Sequence, residues 1–326
     1  DYCEPISDKT EQGRYGEAIA HAKHILSQYP KYATAYRLLG ETLLEAGQDE
    51  HAIEMFQRVL SADPEHLLAW VGLSECYNRQ GKLDAAVWYM ERAFELASDN
   101  RLIEEQLRRL QERRGGVELQ CVQLTRGALA RLYLKGDLLP RAIAELRRLL
   151  ASHPERVDLR VALADALCCN EKRLEASETC QQILDELPFC LKANLIMGSI
   201  WSSAGRAEAN LYLRRAEAVD PENRAAVALF GPSSLLPARD VMVTLLDYRP
   251  VAEEERPAWL ASLEAATAIT EPETALAGVP SPFSAQIEIP SWLAELGLEE
   301  PSPDEAPPIA EAAPDEETAA EPGEAE

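Results

Sequence analysis

Basic residues are scarce in this chain of 326 residues: 32 Lys and Arg stand against 56 Asp and Glu, a formal net charge of −24. Nucleic-acid affinity comes largely from cations that displace counterions from phosphates, so the balance argues against a nucleic-acid partner. An anionic membrane surface would repel the chain as well. No run reaches the roughly eighteen apolar residues of a membrane-spanning helix. The first residues, Asp1-Tyr2-Cys3-Glu4-Pro5, show neither the basic nor the apolar part of a secretion signal. Direct membrane insertion is therefore not expected, and the expected location is cytoplasmic.

Chemistry-bearing patterns are missing too. The seven cysteines, Cys3, Cys76, Cys121, Cys168, Cys169, Cys180 and Cys190, have no paired C-x-x-C spacing, which argues against a zinc or disulfide framework. They read as small apolar side chains in a reducing compartment. The five histidines fall in no metal-ligand spacing, and no G-x-x-x-x-G-K, G-x-G-x-x-G or G-x-S-x-G segment is present. Neither enzymatic activity nor a metal or cofactor is expected.

What is present is periodic. Pro30 and Pro64 are 34 residues apart, as are Pro154 and Pro188, and Pro221 follows 33 later. Ahead of each lies one apolar helical pattern: Ala18, Ala22, Ile25; Ala52, Phe56, Val59; Ala142, Leu146, Leu149; Ala176, Cys180, Ile183; Ala209, Leu213, Ala216. A sixth copy, Ala86, Met90, Ala93, ends at Ser98 where the others have Pro. A second set with three- and four-residue spacing precedes these, as in Tyr36, Leu39, Gly40, Leu43 and Trp70, Leu73, Tyr77. Turn glycines Gly47, Gly81, Gly136 and Gly205 divide the two sets, with Glu171 in place of one. This spacing predicts a helix-turn-helix unit of 34 residues.

Y-x-x-L-G-x-x-L in 33–66, W-x-x-L-S-x-x-Y in 67–100 and the recurring Ala and Pro resemble the tetratricopeptide repeat. The resemblance covers about 7–230. It implies an all-α, right-handed superhelical solenoid of about six helix-turn-helix repeats with a concave groove lined by first helices. Three repeats are expected in 1–98, the first with a helix shortened by Pro5, and three more plus a short cap in 121–230. Between them, 99–120 reads as an inserted helix with Ile103, Leu107 and Leu110 on one face, Glu104/Arg108 and Glu105/Arg109 pairs, and a Gly115-Gly116 stop. It is expected to cap the first half and form a hinge.

On the family frame the groove candidates are Arg37, Glu41, Val71, Glu75, Asn78 and Arg79 in the first half, and Arg131, Lys135, Asp165 and Lys192 in the second. Some members of the family clamp the C-terminal carboxylates of chaperones with Lys and Asn. Here Arg37, Glu41, Val71 and Glu75 occupy those places, so that clamp is not carried over.

From 231 the composition changes. This stretch holds 14 of the 21 prolines, 21 acidic and 3 basic residues, and no Lys. Such a segment buries too little apolar surface to offset its ordering entropy, and a largely disordered acidic tail is expected over 231–326. Two P-x-W-L-x-x-L islands interrupt it, one with Trp259, Leu260 and Leu263, the other with Trp292, Leu293 and Leu296. In each, Pro suits the first helical position and the Trp and Leu side chains share a face, as in a short helix that folds on docking.

These readings point to a non-catalytic scaffold or adaptor that binds a protein or peptide segment in its groove. The tail motifs would dock a second partner or the groove itself. The alternative is a regulatory or targeting subunit of an enzyme complex.

Overall fold

The computed structural model describes residues 3–116, 121–244, 246 and 248. Among them are fourteen α-helices and no strand. The first half comprises α1 (Glu4–Glu11), α2 (Tyr15–Gln28), α3 (Ala33–Glu45), α4 (Asp49–Ala62), α5 (Leu67–Arg79) and α6 (Leu83–Leu96), followed by α7 (Arg101–Gly115). The second half comprises α8 (Arg126–Lys135), α9 (Leu139–Ser152), α10 (Val157–Cys169), α11 (Arg173–Glu186), α12 (Leu191–Ser203), α13 (Ala209–Val219) and α14 (Arg224–Phe230), with a 3-10 turn at Gly231–Ser233. Consecutive helices pack in pairs and successive pairs stack, giving an all-helical solenoid. Pro5 lies in the first turn of α1 and starts that short helix rather than breaking it.

Two local devices repeat. The turn inside each pair holds one residue with positive φ: Gly13, Gly47, Gly81, Asp137, Glu171 and Gly205. There the next backbone N–H reaches back to a carbonyl five residues earlier, as in Gln48 to Leu43 at 2.8 Å, Leu138 to Tyr133 at 2.8 Å and Lys172 to Leu167 at 2.9 Å. This closes the helix end. Gly136 lies in its turn as expected, but the positive φ falls one position later, on Asp137, because the backbone bond fixes the position, and Gly136 itself has φ −88°.

The second device uses the repeat prolines. Their carbonyls accept a hydrogen bond from the fourth residue of the following first helix: Tyr36 to Pro30 at 2.9 Å, Trp70 to Pro64 at 3.0 Å, Arg160 to Pro154 at 2.7 Å and Asn194 to Pro188 at 3.1 Å. Four different side chains satisfy the same acceptor, buried at Pro64 and exposed at Pro30 and Pro154.

The second-helix ladder forms the interior. Ala18, Ala22, Ala52, Phe56, Val59, Ala86, Ala93, Ala142, Leu146, Ala176, Cys180 and Ile183 are all buried. Where Gly40 stands in 33–66, the next repeat has Ser74, whose hydroxyl is buried and donates to Ala86 O at 2.7 Å. Helix α7 packs on α6 and buries Ile103, Leu107 and Leu110. Its N-terminus is capped by Asn100, whose Oδ1 accepts from Leu102 N at 2.9 Å. Gly116, with φ 65°, ends it. Arg109 pairs with Glu105 as expected, but Arg108 turns the other way and pairs with Glu112 at 3.3 Å rather than with Glu104. Helix α8 also packs on α6, with Gly127 leaving room for the Glu95 carboxylate.

The expected tail boundary at 231 falls inside a packed segment. Arg239 N donates to Glu222 O at 3.0 Å, and Asn223 Nδ2 to Pro237 O at 2.9 Å. Farther on, Val243 packs against the core of α1–α5. Thr244 receives His24 Nε2 on its carbonyl and Gln28 Nε2 on its hydroxyl, both at 2.8 Å. The last turn of the array is therefore tied to the first repeat. The islands with Trp259 and Trp292 lie outside the described residues.

Candidate partner-binding face

First helices present the candidate residues, because the repeat frame sends one stripe of each away from its paired second helix. On α3, Arg37 grips both carboxylate oxygens of Glu41 at 2.8 and 3.0 Å. On α5, Glu75 accepts from Asn78 Nδ2 at 3.1 Å and Arg79 Nε at 3.2 Å. Arg79 also donates to Leu44 O on α3 at 2.6 Å, and Arg113 of α7 donates to Asn78 Oδ1 at 2.7 Å. Three helices are thus cross-linked through one polar surface on which Arg37, Glu41, Glu75 and Arg79 remain partly exposed, each side chain at 22–26%. Val71 is a correction: it is 1% exposed, since its place on α5 turns it into the packing between pairs.

The second half is arranged differently. Lys135 is half exposed beside Asp99 at 3.3 Å. Arg131 and Lys192 converge on a residue the sequence did not single out, Glu65, in the loop between α4 and α5, and Asp165 joins them through Lys192. One Glu65 oxygen pairs with Arg131 and the other receives Lys192 Nζ at 2.7 Å. Arg131 continues to Asp158 at 3.1 Å and Lys192 to Asp165 at 3.0 Å. Arg156 then joins Asp158 to Glu95, each at 2.6 Å.

Protonation follows from this packing. Burial alone would raise the Glu65 pKa, but the Lys192 and Arg131 charges outweigh it and hold the carboxyl down at about 2. Asp63, two residues away, is pushed up to about 6 by burial and by the Glu65 charge. His66 is lowered to about 4 by burial and then by Arg37. Its neutral Nδ1 accepts from Ala69 N at 3.3 Å and caps α5. The available signal for Glu65 was its place directly after a repeat proline; nothing in helical periodicity marks a loop residue.

Of the cysteines, Cys76, Cys180 and Cys190 are buried and Cys121 and Cys169 exposed. Among the described residues no helix is long and apolar enough to cross a membrane.

Three tetratricopeptide repeat family models match, over residues 7–65, 50–104 and 128–189. Over those residues the chain is built of tetratricopeptide repeats. Among curated proteins it is similar to "Essential for maintenance of the cell wall protein 1" of Saccharomyces cerevisiae, 33% identical over 92 residues, which are 28% of this chain and 10% of that protein. It is also similar to Superkiller protein 3 of the same yeast, 33% identical over 61 residues, 19% of this chain and 4% of that one. The chain thus spans a tenth or less of the length of these relatives. Among solved structures, YrrB, described as a TPR protein with an unusual peptide-binding site, aligns with TM-score 0.29 and 16% identity over 64% of this chain and 96% of that one. The TPR2AB domain of yeast Sti1, in complex with pHSP90, aligns with TM-score 0.33 and 19% identity over 70% and 93%. The tetratricopeptide repeat fold supports a protein–protein interaction scaffold in general.

Proposed function

We propose that this protein is a non-catalytic scaffold or adaptor that holds a segment of a protein partner on the α3–α5 face. The observation that carries the reading is the cross-linked polar surface of Arg37, Glu41, Glu75, Asn78 and Arg79. Bonds from Arg79 to Leu44 O and from Arg113 to Asn78 cross between three helices, Arg37 and Glu41 pair along α3, and Arg37, Glu41, Glu75 and Arg79 stay partly exposed. Preorganised side chains lose little freedom on binding, and alternating charge selects a partner segment of complementary alternating charge. The tail islands around Trp259 and Trp292 add a second docking element on the same chain, which raises local concentration at a two-site target.

The test places a photo-crosslinking residue at Glu41, at Glu75 or, as a control, at Leu174, which is 73% exposed on α11. Partner adducts at 41 and 75 and not at 174 support the reading; adducts confined to 174 overturn it. The tail element is tested by the Trp259→Ala/Trp292→Ala double variant, in which unchanged partner capture removes that part of the proposal.

A further inference from the structure

In a stacked repeat array each unit needs contacts only with its neighbours. Glu65 breaks that rule. From the loop between α4 and α5 it reaches Arg131 of α8, 66 positions along the chain, and Lys192 of α12, 127 positions along. A second crossing lies nearby: Lys31 Nζ, in the loop between α2 and α3, sits 2.9 Å above the ring centroid of Phe189, in the loop between α11 and α12.

The character of this junction differs from that of the stacking. The apolar cores built on α1–α5 and on α8–α13 are separate clusters, and the two halves meet by packing elsewhere, through α6 on α8 and Val243 on the α1–α5 core. What joins Glu65 to the second half is a set of charges. The side chains of Glu65, Arg131 and Asp158 are 12%, 8% and 7% exposed, so each needs the others while the junction is shut. Arg131 Nε is buried with no hydrogen-bond partner, so the closed state leaves one donor unsatisfied. On opening, every charge recovers water. A partly buried ionic junction is close to balance between pairing and hydration, whereas separating apolar cores is not. That is the physical signature of an element with two states.

We propose that residues 63–66 form an intramolecular clasp, in which Glu65 holds the first half of the array against α8, α10 and α12 and keeps Arg131 and Lys192 from any other ligand until it opens. The clasp is a property of the chain alone and is read without a partner, so its failure and failure of the scaffold reading are separate outcomes.

The experiment uses the full chain with two bio-orthogonal fluorophores, one at His51 on α4 and one at Leu174 on α11, both exposed. The energy-transfer distribution is read at low and high salt. Unmodified clasp residues should give a dominant closed population that shifts toward the open one as salt screens the pairs. Glu65→Gln, which keeps shape and removes charge, should raise the open population about tenfold or more, because an unpaired partner is left behind. Lys192→Met, whose parent side chain is 29% exposed, approaches the same junction from the other side and should shift it in the same direction. Helix content by circular dichroism should be unchanged in both. If Glu65→Gln does not fold, Lys192→Met and the salt series on the unmodified clasp carry the test. A distribution indifferent to salt and to these substitutions, in chains of unchanged helicity, overturns the proposal.

Discussion

Gly72→Ala should destabilise this array, although alanine is the better helix former. The Phe56 ring is 0% exposed and lies between α3 and α5. A methyl carbon on Gly72 would sit 2.5 Å from Cε2 and Cζ of that ring; one on Gly40 would sit 2.9 Å from Cε1. Carbon atoms settle at about 3.5–4.0 Å, so the ring or the helix must move by about 1 Å. Helix propensity returns about 1 kcal/mol, against roughly 1–3 kcal/mol for overpacking and part of the roughly 2–3 kcal/mol gained by burying a Phe. The net loss is about 1–2 kcal/mol. At roughly 2–4 °C per kcal/mol for an array of this size, the melt followed by circular dichroism should fall by several degrees. Hydrogen exchange should localise the change to α3–α5. Phe56→Leu in the same chain should relieve part of the loss, and Gly40→Leu should cost more than Gly72→Ala. Gly115→Ala, where no atom lies within 4 Å, should be neutral or stabilising. A Gly72→Ala chain that melts at or above the parent, or one that Phe56→Leu does not relieve, would refute the packing argument.

Asp137→Gly and Glu171→Gly place the permissive residue at φ 56° and 58°. Each should stabilise the array by about 0.5–1 kcal/mol in urea titrations, the strain of a left-handed non-glycine residue exceeding the added chain entropy. Asn100→Ala removes the cap of α7 and should cost about 1 kcal/mol, with faster amide exchange at Leu102 and Ile103. The clasp loop makes a pH prediction. Asp63, at about 6 in the fold against 3.8, binds a proton in that window that the unfolded chain has lost, so its contribution falls as pH rises. His66, at about 4 against 6.5, is neutral in the fold while the unfolded chain is protonated, so its contribution rises with pH. The slopes oppose each other. Asp63→Asn should expose a stability that climbs between pH 4 and 6.5, and His66→Asn, which retains a capping oxygen, one that declines between pH 4 and 6. Equal slopes in both variants would show that the two groups are not perturbed as described.

The repeat was legible because every copy answers to the same local physics. Ala52, Phe56 and Val59 share a face at helical spacing, and burial follows from that spacing. The turn was less legible: Gly136 looks like the turn residue by type, yet Asp137 carries the positive φ because the bond from Leu138 N to Tyr133 O sets the position. Val71 shows the limit of a family frame, which assigns a side of the helix but not whether a neighbouring pair covers it. Arg131, Asp165 and Lys192 were placed on the first-helix face from sequence, yet their pairing through Glu65 was not. Contacts 66 and 127 positions apart leave no periodic trace, and each of those cations has an equally plausible partner nearby.

The residue following a repeat proline ties these levels together at four of the five, the exception being Glu155, which is exposed and lies beside His153 at 3.5 Å. The proline carbonyl is fixed by the fourth residue of the next helix, whether Tyr36, Trp70, Arg160 or Asn194, so the loop has little freedom. The side chain after the proline is then held at the edge of the array, where loops from distant repeats meet. Lys31 and Phe189 occupy that position and touch each other. Glu65 occupies it and takes Arg131 and Lys192. Glu222 occupies it, and its charge raises the pKa of Cys3 and Tyr32, secondary to burial, at the other end of the chain. Stacking needs only the proline and its carbonyl acceptor, so the next residue is unconstrained by the repeat. That freedom lets one uniform scaffold carry specific long-range contacts. It also explains why the position defining the repeat in sequence lies directly beside the one that joins its halves in space.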